Sequence, residues 1–135
     1  MHPSGTLRQV LFKQVITGTS VPVPMRNYQT VTVYVTGYGT ISTGTLLIEE
    51  ADYDGPGNSG GQGAEKPFEG TWSLVQTLDL TAVTGGSTTG KQIAYHVPSS
   101  APGFYAYSYL RARFSVDITG ASGSATVVLL ACGPG

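Results

Sequence analysis

A chain of 135 residues has the size of one domain, and hydrophobic side chains at 40% combined with charged ones at only 11% give it an unusually ion-poor surface, since ordinary domains carry about 25% charge. Seven Lys and Arg against eight Asp and Glu leave a net charge of −1, which argues against a sequence-independent nucleic-acid binder, because such proteins need a basic face to displace counterions. No stretch approaches eighteen continuous apolar residues, so no helical membrane span is expected, and the lone Cys132 excludes an intrachain disulfide or a cysteine metal cluster.

Met1 to Gly5 lack the charged-then-apolar order of a secretory signal. Leu7 to Thr17 is ambiguous: Val10, Phe12 and Ile16 suit a strand, whereas Leu7, Val10, Leu11 and Val15 suit a helix face. Its β-branched and aromatic content favours strand. Val21-Pro22-Val23-Pro24 reads as an extended connector without internal hydrogen bonds. Residues 1–27 are therefore expected to be an N-terminal arm or first strand with a proline-containing connector, and 28–135 a β-sandwich domain.

Tyr28 to Tyr38 alternates, with Val31, Val33 and Val35 opposed to Thr30, Thr32, Tyr34 and Thr36. Gly37-Tyr38-Gly39 then suggests a hairpin or a bulge, and Thr40 to Ala51 a further strand. Residues 52–70, with five glycines between Gly55 and Gly63, read as a mobile surface loop. Trp72, Leu74, Leu78 and Leu80 share a parity interrupted by Gln76, which predicts Trp72 in the core. Gly85-Gly86-Ser87 marks a turn before a strand at Lys91 to Val97, and Pro98 and Pro102 exclude the following residues from the middle of a sheet. In Phe104 to Thr119, Leu110, Ala112, Phe114, Val116 and Ile118 form a dry face. Tyr109, Arg111, Arg113, Ser115 and Asp117 form a wet one. After a turn at Gly120 to Gly123, the apolar run in Ser124 to Cys132 reads as a strand covered on both sides, with Cys132 as a small buried residue. Seven or eight strands without a convincing helix predict an all-β, antiparallel β-sandwich. Period alone leaves jelly-roll and immunoglobulin-like topologies open.

Catalytic sets are sparse. His96 with Ser99 or Ser100 and a distant Asp79 or Asp117 lacks any Gly-x-Ser-x-Gly elbow. Asp52, Asp54 and Asn58 offer oxygen ligands beside Gly55, but Gly63 stands where a calcium loop is closed by an acid. Glu49 and Glu50 are adjacent, so a strand points them to opposite faces and they cannot serve as paired carboxylates. Gly85 to Lys91 imitates a phosphate loop, but Gln92 takes the hydroxyl position. No catalytic residue, cofactor or metal is expected. The informative cluster is Tyr105, Tyr107, Tyr109, Arg111 and Arg113, one parity of one strand. Tyrosine and arginine are enriched at the centres of protein interfaces, and the same stripe could stack on sugar rings. The purely structural alternative packs the tyrosines on an arm or second sheet and pairs the arginines with Asp79 or Asp117.

From Val31 to Ala131 the chain resembles small structural proteins of tailed bacteriophages. The likeness lies in the order of a β-rich start, a Gly-rich loop, Gly70-Thr71-Trp72-Ser73-Leu74, then Tyr109 to Gly120 and Gly123 to Leu130. Most similar are jelly-roll decoration or cementing proteins of the head. The resemblance implies a jelly-roll-like fold without catalytic residues. It implies a virion protein of the capsid surface, assembled in the host cytoplasm, that binds the major capsid protein as a homo-dimer or homo-trimer. The alternative it leaves is a tail or fibre module that binds a host glycan or receptor.

Overall fold

The computed structural model describes residues 6–25, 28, 30–52, 72–97 and 108–133. Eight strands run in chain order: β1 (Thr6–Val15), β2 (Val23–Pro24), β3 (Thr30–Gly39), β4 (Thr43–Asp52), β5 (Ser73–Asp79), β6 (Gly86–Val97), β7 (Ser108–Thr119) and β8 (Ser124–Cys132). They make two four-stranded sheets, ordered β1-β8-β3-β6 and β2-β7-β4-β5. All ladders are antiparallel, and β1 pairs β8, β2 pairs β7, β3 pairs β6 and β4 pairs β5. That nested pairing across two sheets is the jelly roll. The immunoglobulin-like alternative is thereby removed.

The core lies between the sheets. Val31, Val33 and Val35 of β3 and Ala125, Val127, Leu129 and Ala131 of β8 meet Leu46 and Ile48 of β4 and Leu110, Ala112 and Phe114 of β7. A 3-10 turn, Leu80–Val83, buries Leu80 and Val83; Asp79 caps it by accepting hydrogen bonds from the backbone and hydroxyl of Thr81.

β1 is a strand of the sandwich, and its ambiguous sequence has a geometric cause. Leu7, Gln9, Phe12 and Val15 lie opposite Ala131, Leu129, Val127 and Ala125, with register shifts on either side of Phe12. Two irregularities thus stretch the inward spacing from two residues to three, which imitates helical periodicity. Phe12 is buried and meets Phe114 edge-on at 5.2 Å between centroids.

Beyond β1 the chain crosses to the other sheet along β7. Ile118 donates to the Ile16 carbonyl, Phe114 to that of Gly18, and Ser20 to that of Ala112. The expected proline connector accordingly belongs to a sheet: Val23 and Pro24 pair with Leu110 and Tyr109, and an edge position tolerates the missing proline donor.

Three expectations about faces are corrected. On β5, Ile48 stands opposite Gln76 but the next residue, Glu49, stands opposite Leu74. Val75 is therefore an extra residue, and the bulge turns Leu74 and Trp72 to the outer face. Leu74 is 59% exposed and Trp72 half-buried, while Leu78 and Leu80 remain in the core. On β7, register shifts between Phe114 and Thr119 place Val116 outside, opposite Thr45 and 46% exposed. On β8 the burial alternates strictly, so Val128, Leu130 and Cys132 are half-buried on an outer face and the strand is covered on one side only.

At one end of the sandwich three connectors close on one another. Thr40 donates to Ala121, Ser42 to Thr119 and Gly85 to Gly39. Gly120 has φ +129°, and a Cβ there would collide with the Thr40 carbonyl oxygen; only glycine satisfies both constraints. The opposite end holds the last residues of β4 and β6 and the first of β5 and β7.

Candidate functional site

The outer face of the β2-β7-β4-β5 sheet carries the functional candidates. Strand pairing aligns Leu74 of β5, Glu49 of β4 and Arg111 of β7 in one row, and Thr77, Leu47 and Arg113 in the next. Glu49 is buried, at 5% exposure, yet faces away from the core. It is held by both arginines. Arg113 donates from Nε to Oε1 at 3.1 Å and from Nη2 to Oε2 at 2.9 Å, a bidentate fork, and Arg111 Nε donates to Oε1 at 2.9 Å. The Arg111 guanidinium in turn lies over the Trp72 ring, 4.1 Å from its centroid, a distance at which the ring quadrupole attracts the cation.

The electrostatics follow from this geometry. The Arg113 hydrogen bonds hold the Glu49 carboxyl below its ordinary range. Burial opposes this by raising it, and Arg111 adds its own hydrogen bond and charge on the lowering side. Reciprocally, Glu49 raises the Arg113 pKa. Two cations share one anion, so the cluster keeps an excess positive charge. The arginine side chains retain 21% and 38% of their surface, and N–H groups that Glu49 does not use remain on each guanidinium. Exposed Leu74 and Val116 flank them.

Of the residues expected to form an interface, Arg111 and Arg113 come together here. Tyr109 shares their face opposite Ala51 but is buried, at 4% exposure, and lies outside the central core cluster. Tyr105 and Tyr107 lie outside the described residues. The arginines do not pair with Asp79 or Asp117, as the structural alternative supposed. Asp79 caps the 3-10 turn, and Asp117 accepts from the Thr17 hydroxyl at 2.7 Å. Glu49 is the member that sequence reasoning missed, and Trp72, expected in the core by its parity with Leu74, Leu78 and Leu80, stands at the outer face where the glycan-binding alternative needs it. The β4–β7 adjacency that joins Glu49 to the arginines is a property of the topology, and the Trp72 position is a property of the bulge.

His96 is exposed on edge strand β6, opposite Thr32; Ser99 and Ser100 lie outside the described residues, as do Asp54 and Asn58 of the calcium candidate. Among the described residues no group of three or more His, Cys, Asp or Glu could hold a metal ion, and no helix is long and apolar enough to cross a membrane.

The chain is thus an antiparallel jelly-roll β-sandwich, a fold of the kind often used for protein–protein or ligand interactions. No protein-family model matches it and no curated protein matches it. Among solved structures, a crystal structure of PirA is similar over 98% of this chain and 96% of that one, at 14% identity and a TM-score of 0.41. That likeness assigns no activity, ligand or partner to this chain.

Proposed function

We propose that this chain is a non-enzymatic binding module, a virion structural protein of the capsid-decoration type. Its outer β2-β7-β4-β5 face docks on the major capsid protein and stabilises the head. The observation that carries the binding role is the Glu49–Arg113–Arg111–Trp72 cluster. Arginine and tryptophan dominate the energetic centres of protein interfaces, and here the arginines are held in place by a buried carboxylate and an indole. Pre-ordered donors lose less side-chain entropy on docking. The ion-poor composition and the resemblance to phage head proteins supply the partner. Modest contacts at each site add up when many copies engage a repeating shell.

The test is addition of the protein to capsids that lack it. Saturable binding and greater resistance of the heads to heat are expected, and Trp72→Ala should weaken binding at least tenfold. Binding to tails or host cells with none to heads would reject the reading. A second reading, a tail or fibre module for host glycans, is favoured by one observation: Trp72 lies at the outer face, where an indole can stack on a sugar. A glycan array that shows no signal removes it.

A further inference from the structure

The opposite surface of the sandwich, the outer face of β1-β8-β3-β6, has a different character. Register puts Val10, Val128, Tyr34 and Ala94 in one row across the four strands, and Arg8, Leu130, Thr32 and His96 in the next. Cys132 stands between Thr6 and Thr30 in the row beyond. Val10 is 43% exposed, and Tyr34, Val128, Leu130 and Cys132 are half-buried. The two central strands, β3 and β8, contain no charged residue at all; Arg8 and Lys13 belong to the edge strand β1. An uncharged centre of apolar, Tyr and Thr side chains with charge only along one edge suits the core of a protein interface, where charged residues are depleted. The Val127-Val128-Leu129-Leu130 run adds to this, for such continuity belongs to strands buried on both faces, and this fold buries only one.

We infer that this face is covered by the same face of a second copy, giving a two-fold dimer packed sheet on sheet. Two considerations select a second copy over a different protein. First, a two-fold contact must be complementary to itself; an uncharged centre meets its own image without like-charge repulsion, and it offers a different partner no charge pattern by which to be chosen. Second, the area suffices. Four strands about 4.8 Å apart and nine residues at about 3.3 Å each make a face of roughly 19 by 30 Å. Two such faces in contact remove about 1,100 Å² from water, above the ~1,000 Å² that a specific interface needs. The inference does not rest on the capsid reading, since it concerns the other sheet.

Sedimentation velocity across the micromolar range decides it. The expected result is a species of twice the 14.0 kDa chain mass that dissociates on dilution. Val128→Lys with Leu130→Lys should weaken self-association at least a hundredfold. Val128→Thr with Leu130→Thr, which introduces no charge and places strand-favouring β-branched side chains at both positions, should weaken it less, and circular dichroism confirms that each variant is folded. Ser115→Ala, at an exposed position of β7 in the other sheet, should leave the dimer intact. A wild-type chain that stays monomeric throughout, a trimer, or a dimer that persists in the folded Lys variant would each overturn the inference.

Discussion

Replacing Glu49 by Gln removes the one anion that two guanidiniums share while preserving shape and one carbonyl acceptor. The carboxylate accepts three charge-assisted hydrogen bonds of 2.9 to 3.1 Å. Each such bond contributes about 1.5–3 kcal/mol net when its groups are shielded from water. The arginines are partly exposed, so water recovers part of the loss, and the amide retains part more. The expected cost is about 2 kcal/mol, short of the ~3–5 kcal/mol for breaking a fully buried pair. For a domain of this size that lowers Tm by roughly 6–8 °C. The pH dependence has a definite sign. The folded pKa of Glu49 lies below its ordinary 4.5, so the unfolded chain takes up the proton first as pH falls. The stabilisation is complete well above 4.5 and is lost as pH descends through the folded pKa. Urea denaturation of wild type and Glu49→Gln from pH 7 to pH 3 measures it. The gap should be full at neutrality and shrink under acid. Equal stabilities at pH 7, or a gap independent of pH, would refute the assigned role of the carboxylate.

Trp72 is the one tryptophan in the chain, so its fluorescence reports on the cluster without interference. Arg111→Ala should shift the emission to the red as water reaches the indole face, and Arg111→Lys should shift it less, because an ammonium keeps the charge but not the planar stack; unchanged spectra would dissociate the pair. Gly120→Ala should cost about 2–3 kcal/mol in urea denaturation. The added Cβ meets backbone rather than a side chain that could rotate away, and the φ of +129° is strained for alanine.

β3, whose apolar and polar residues alternate and whose register against β8 is unbroken, was fully legible. Val31, Val33 and Val35 face inward as their spacing required, and the Gly37-Tyr38-Gly39 signal corresponds to a register shift between β3 and β6. Misreadings cluster where an extra residue breaks the period. That single cause explains the helix-like β1, the outward Val116 and the outward Trp72. Apolarity could not distinguish the two faces of β8, because Val128 and Leu130 are as hydrophobic as their inward neighbours. The arginine stripe was visible in the sequence, but its anion was not. Glu49 lies 62 residues from Arg111, and only the order of strands in the sheet brings them together.

The extra residue at Val75 has an evolutionary corollary. With Val75 bulged out of the ladder, the indole is available to the outside world; were Val75 instead paired in register with Glu49, strict alternation would return Trp72 and Leu74 to the interior and leave Arg111 without its aromatic floor. Recognition on this wall thus hinges on a one-residue slip in how β5 pairs with β4, a far smaller step than remodelling a loop.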